Sequence, residues 1–194
     1  MRPYRFVIIF RNMNAESLLS RRNLLAAAGL CLAIPSNIRA IDSKVKFKAR
    51  TLDGEMFSTE SVEGKVVLVE FWATWCPYCR SDAPAVDGLL HEFQDQGLVV
   101  LAVDVAESKK TVTKFLAESP RDCKVVLMTD TNLAAWFAPK TFPHYALIDR
   151  NGNEAGEQKG AGGERSLRHL LRQAGLRSDD SGDAGELRSS PRRS

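Results

Sequence analysis

The chain has 194 residues, 44% of them hydrophobic and 26% charged, which suits one domain of ordinary size with extensions and leaves two full domains cramped. Thirteen glycines, eight prolines and no sustained repeat exclude a collagenous, coiled-coil or wholly disordered chain. The net charge of +3 is no sign of nucleic-acid binding: Arg2, Arg5, Arg11, Arg21, Arg22 and Arg39 face only Glu16 in the first 40 residues. From Ile41 onward 23 acidic residues outnumber 21 basic ones, so the body has no excess to neutralise phosphates.

Residues 24–34 (LLAAAGLCLAI) carry no charge. Ser20-Arg21-Arg22 precedes them; Pro35 and then Ile38-Arg39-Ala40 follow. A basic stretch, a short apolar stretch and a small residue at the cut make an export signal, with cleavage after Ala40. A membrane-spanning helix needs about 20 apolar residues, so no stable anchor is expected; a retained anchor or a buried helix of the fold is the alternative. Ser20-Arg21-Arg22-Asn23-Leu24-Leu25 resembles a twin-arginine signal, and Met13 is a second candidate start. Cys31 follows Leu30, where a lipoprotein signal wants a small residue, so no lipid is expected there. The division is an export signal over 1–40, a domain over 41–176 and a disordered tail over 177–194, in a protein placed in the bacterial periplasm.

Residues 45–50 (VKFKAR) alternate apolar and basic and read as a strand, with Asp53-Gly54 turning the chain into 55–58 as a short edge hairpin. Residues 66–72 (VVLVEFW) form a nearly continuous apolar run, expected of a central strand covered on both faces. One acid, Glu70, interrupts it. From 79 to 96, Ala83, Val86, Leu89, Leu90 and Phe93 recur at helical spacing, with Pro84 to kink the helix and Gly97 to stop it. Then follow a strand over 98–103, a helix over 109–118 carrying Val112, Phe115 and Leu116, and a strand over 125–128. A helical turn over 133–137 leads to a strand over 145–149. The turn Asn151-Gly152-Asn153 makes the return strand 155–159 antiparallel, and a last helix carries Leu167, Leu170, Leu171 and Ala174. Alternating strands and helices imply a mainly parallel core with right-handed crossovers.

Trp75-Cys76-Pro77-Tyr78-Cys79 is the chemical centre. A Cys-x-x-Cys directly after a buried strand and opening a helix places the first thiol at the helix N-terminus, where unpaired amides and the helix dipole favour a thiolate. Cys76 is the expected nucleophile. Cys79, one turn deeper, is the expected resolving thiol. The alternatives are a static disulfide or half of a zinc site; zinc wants about four ligands, and the remaining candidates, Cys123, His91, His144 and His169, are scattered. No metal site is expected.

The stretch from Val69 to Cys79 (VEFWATWCPYC) resembles the active-site segment of the thioredoxin superfamily, in particular its exported TlpA/ResA-type thiol-disulfide oxidoreductases. The likeness extends over 45–174: Pro84 falls where thioredoxins kink this helix, Pro143 at their cis-proline, and Lys159-Gly160-Ala161 at the glycine segment beside the site. The resemblance implies an α/β thioredoxin-like fold with a central mixed sheet flanked by helices, plus an N-terminal hairpin and an inserted helix and strand over 109–128. It implies that Pro143 is cis and that Phe142 presents backbone groups to an extended substrate. Trp75 would line the site with Pro77, Tyr78 and Gly160, and Trp72 would pack beneath.

Glu70 occupies the position of the buried thioredoxin acid, where burial raises the pKa and permits a proton shuttle to Cys79; alternatively its side chain reaches solvent or a lysine. His144 departs from the usual Thr or Ser and is expected to be an exposed first residue of a strand; the alternative is that it tunes substrate contact or thiolate stability. Cys123 reads as a structural thiol at a strand edge, and the solvated Lys109-Lys110 pair needs no partner.

The resulting expectation is a monomeric exported thiol-disulfide oxidoreductase with no cofactor beyond the Cys76/Cys79 couple, acting as a reductant on protein substrates, as cytochrome c maturation members of the family do, and recharged by a membrane or periplasmic electron donor. A copper-binding or copper-delivery module using the thiols and His144 is the alternative from another class, although copper-carrying relatives space their cysteines by three. A peroxiredoxin resembles a Thr-x-x-Cys nucleophile with a distant resolver and fits less well.

Overall fold

The structure is a computed structural model that describes residues 44–178. The leader, its cleavage site, Cys31 and the tail from Asp179 onward lie outside the described residues.

Seven strands form one mixed sheet: β1 (Lys48–Thr51), β2 (Met56–Ser58), β3 (Val66–Trp72), β4 (Leu98–Asp104), β5 (Lys124–Thr131), β6 (His144–Ile148) and β7 (Glu154–Lys159), in the order β2-β1-β5-β4-β3-β6-β7. Parallel pairing is confined to β5, β4 and β3; β1 joins β5, and β6 joins β3, antiparallel. The parallel core expected from the alternation of elements is therefore the middle of a mixed sheet. β3 lies within it with all seven residues buried, the physical meaning of its unbroken apolar run.

Among the described residues, α1 (Pro77–Phe93), α2 (Lys109–Glu118) and α3 (Leu133–Phe137) connect strands, and α4 (Gly163–Gln173) follows β7. The first begins two residues earlier than periodicity predicts because Cys76 caps it and Pro77 occupies the first turn, where no amide hydrogen is needed. Pro84 sits inside it and withholds the amide that would bond the Arg80 carbonyl. Residues 94–96 tighten into a 3-10 turn before Gly97, whose φ of +87° is the left-handed stop that glycine adopts without strain. The last helix packs on the first and on β7, burying Leu167, Leu170 and Leu171.

Residues 45–50 alternate buried and exposed as expected, but ladder pairing begins only at Lys48; earlier, Lys44 bridges to Asn153 and the Val45 amide donates to the Gly152 carbonyl. The hairpin's own edge is β2, while β1 is covered by β5. Among the described residues no helix is long and apolar enough to cross a membrane.

Candidate redox site

The central strand ends at Trp72, whose carbonyl accepts from the Val105 amide just beyond β4, and the chain then turns through Ala73, Thr74 and Trp75 to Cys76. Cys76 is the N-cap of α1, with extended backbone (φ −83°, ψ 108°) and its Sγ accepting from the Cys79 amide at 3.1 Å. A sulfur so placed receives the first-turn amides and the positive end of the helix, which favours its thiolate on reduction. Here the two sulfurs are joined as a Cys76–Cys79 disulfide. Both cysteines are nearly fully buried, while Trp75 and Tyr78 stand 62% and 67% exposed beside them. Exposed aromatics flanking a shielded sulfur pair form a surface on which a polypeptide can seat before exchange.

The first rung of the β3–β6 ladder at this end is Phe71 opposite His144, so the segment preceding β6 arrives at the same sheet end as the loop following β3. That segment holds the cis bond between Phe142 and Pro143. Phe142 meets Trp75 edge to face, ring centres 6.2 Å apart, and the Pro143 carbonyl accepts from the Gly160 amide at 2.8 Å. Cys76, Cys79, Trp75, Pro77, Tyr78, Phe142, Pro143 and Gly160 thus share one end of the molecule, and Trp72 lies buried below, against Phe115.

His144 corrects an expectation. It is the first residue of β6 but only 1% exposed, because Phe71 packs against its ring at 5.7 Å and Glu157 reaches its Nε2 at 3.2 Å. Burial lowers its pKa, with Glu157 pulling the other way. Lys109 and Lys110 are exposed, and Lys109 Nζ donates to the Leu52 carbonyl at 3.2 Å. Cys123 is buried just ahead of β5, and burial pushes its thiol pKa up, away from thiolate chemistry.

Glu70 is fully buried and reaches neither solvent nor a lysine; its Oε2 accepts from Arg121 at 2.9 Å. Burial raises its pKa, the Arg121 guanidinium opposes that rise, and Asp87 and Asp82 add to it. Arg121 has no signature in the sequence because the Ser-Pro-Arg-Asp-Cys turn that carries it has no periodicity. The sequence reading missed Asp82, which lies with Cys79, Val86, Leu89 and Phe93 on the buried stripe of α1; helical spacing from Cys79 and Val86 is the signal that could have found it. Its Oδ2 accepts from the Tyr145 hydroxyl at 3.3 Å and the Gly162 amide at 3.2 Å.

A carboxylate pair, Asp104 and Glu107, lies at the end of β4. Glu107 accepts from the Thr74 amide at 2.6 Å and the Thr74 hydroxyl at 2.7 Å, tying down the loop two residues before Cys76. Ala106 holds a φ of +68° to aim it. Asp104, opposite Trp72 in the ladder, has one buried oxygen without a partner, and burial together with Glu107 pushes its pKa up to about 7.

Comparison with known proteins places this site. The model of the AhpC/TSA family matches residues 41–153. The chain belongs to that family. Within it, the chain is 30% identical over 114 residues to the thiol-disulfide oxidoreductase ResA of Halalkalibacterium halodurans; the match covers 59% of this chain and 65% of that relative, somewhat under two thirds of its length. Among solved structures, a thioredoxin-family thiol:disulfide interchange protein of Chlorobium tepidum superposes with a TM-score of 0.61 at 25% identity, covering 68% of this chain and 95% of that one. DsbF of MTB superposes with a TM-score of 0.59 at 27% identity, covering 68% and 97%. The fold is thioredoxin-like, as the active-site segment implies.

Proposed function

We propose that this protein is a thiol-disulfide oxidoreductase that exchanges disulfides with other proteins and works outside the cytoplasm as a reductant. The observation that carries the reading is the Cys76–Cys79 disulfide at the N-cap of α1, framed by Trp75, Tyr78 and the cis-proline segment. ResA and the interchange protein of Chlorobium tepidum are named for this chemistry.

In the reducing direction the Cys76 thiolate attacks a substrate disulfide, forming a mixed disulfide and expelling one substrate thiolate. Cys79 then loses its proton and attacks Cys76 Sγ. The internal disulfide closes, the second substrate thiolate leaves, and two electrons have passed to the substrate. Glu70 takes the Cys79 proton; burial raises its affinity for one, and the Arg121 guanidinium opposes that rise. Phe142 precedes the paired register of β6, so its backbone can bond an extended substrate segment, with Pro143 and Gly160 shaping the floor. The sulfurs themselves carry the redox equivalents, and an external dithiol donor must reopen the disulfide. The leader over residues 1–40 supplies export and the domain begins at residue 41.

Peroxide reduction needs a distant resolver, whereas the partner sulfur here is three residues away. Copper delivery would need an accessible His144 ring, but that ring is buried against Phe71 with Glu157 3.2 Å from its Nε2.

Trapping tests the proposal. Reduced protein carrying Cys79→Ser, mixed with oxidised insulin, should accumulate a mixed disulfide on Cys76, and Cys76→Ser should accumulate none. A wild-type pair inert to every dithiol reagent would overturn it.

A further inference from the structure

Arg121 lies in the turn between α2 and β5, remote in sequence from the redox motif, yet its side chain is only 4% exposed. One guanidinium joins two elements and a ring. Nη2 donates to Glu70 Oε2 on the central strand at 2.9 Å; Nε donates to both Asp87 oxygens on α1 at 3.0 and 3.2 Å; and the guanidinium carbon stands 5.8 Å over the Trp72 ring. The other Glu70 oxygen, Oε1, is buried without a partner. Arg121 therefore occupies one oxygen of the carboxylate and leaves the second free to take a proton.

We propose that Arg121 is the positioning residue of the redox site: by holding Glu70 through Oε2 it fixes the carboxylate and offsets part of the cost of its charge, and so sets the pH at which Cys79 resolves a mixed disulfide. The proposal rests on the reading of Glu70 as the group that handles the Cys79 proton. In that step the Cys79 S–H proton passes to Glu70 Oε1, directly or through water. The Cys79 thiolate then bonds to Cys76 Sγ, the Cys76–substrate bond breaks, and the substrate leaves as a thiolate. The other titratable groups acting on this cluster are Asp82 and Asp87 from α1, Tyr145 from β6 and Cys123 ahead of β5. Both aspartates favour protonation of Glu70, which leaves Arg121 as the cation opposing them. An opposite charge in contact typically moves a carboxyl by roughly one to three pH units.

The test is the rate at which wild type and variants release a preformed mixed disulfide from Cys76, measured against pH. Wild type should show an inflection that Glu70→Gln abolishes. Arg121→Met should move that inflection to higher pH by roughly one to three units, Arg121→Lys by less, and the Glu70→Gln, Arg121→Met double variant should match Glu70→Gln alone. A purely structural arginine would slow release at every pH and leave the inflection in place; that result, in either Arg121 variant, overturns the proposal. If Arg121→Met does not fold, Arg121→Lys is read together with the carboxyl carbon resonance of Glu70, which must titrate at higher pH than in wild type. An inflection that survives Glu70→Gln overturns both the proton role of Glu70 and this inference while leaving disulfide exchange standing; absence of any exchange defeats the functional reading itself.

Discussion

Glu70 and Asp104 are the same kind of group in nearly the same place. Each is a carboxyl buried on one of two adjacent parallel strands, Glu70 two residues before Trp72 and Asp104 opposite Trp72 in the ladder. Their partners differ. Glu70 meets a guanidinium, whereas Asp104 meets a second carboxylate, Glu107, and is pushed up to about 7. Desolvation raises the pKa of both, and the neighbour decides whether that rise is opposed or reinforced: the Arg121 guanidinium opposes it at Glu70, whereas Glu107 adds to it at Asp104. One cluster lies below the helix that carries the sulfurs. The other ties the loop that leads into it.

Either cluster can be disrupted by substitution. The largest effect should come from Arg121→Met, which strands Glu70 and Asp87; loss of one partner from a buried pair destabilises by about 3 to 5 kcal/mol, measurable by urea unfolding. Replacing both partners, Glu70→Leu with Arg121→Met, should recover most of that loss, because two apolar groups leave no uncompensated charge between them. Next, Glu107→Ala should destabilise by about 2 kcal/mol through the two charged hydrogen bonds lost at Thr74, and it should return the Asp104 pKa toward its ordinary range, visible by carboxyl NMR.

A smaller effect concerns pH. The Asp104 pKa is raised in the folded protein from an ordinary 3.8 to about 7, so between those values the folded state binds more protons than the unfolded one. This contribution to stability must fall as pH rises through that window. Asp104→Asn should flatten that part of the stability profile, seen in unfolding series from about pH 4 to 8. Smallest of all, Asp122→Asn breaks an ion pair with His91 in which both side chains are well exposed, and should change stability by no more than about 0.5 kcal/mol.

Elements with a strong apolar pattern were legible in the sequence itself. The bounds of β3, α2 and α3 coincide with the stretches that periodicity marks. Ends were less legible where side-chain chemistry or pairing overrides pattern: Cys76 draws the start of α1 forward by capping it, and β5 runs on to Thr131 because Ala49 of β1 pairs there. His144 departs from expectation since a polar residue opening a strand is commonly exposed; only the approach of Phe71 and Glu157 buries it. Glu107 carried no local signal, because its partner Thr74 lies 33 residues away.

Local order alone determined that two sulfurs sit one turn apart at the head of a helix, since a buried apolar run, a proline at the helix start and the Cys-x-x-Cys spacing are all short-range properties. What those sulfurs are surrounded by was decided only when the sheet closed. Register brought the cis-proline segment to the end of β3, and packing carried Arg121 past the Trp72 ring to Glu70. The reason is electrostatic: the proton affinity of a buried acid depends on charges within a few ångströms, and those come from parts of the chain whose distance in sequence says nothing of their distance in space.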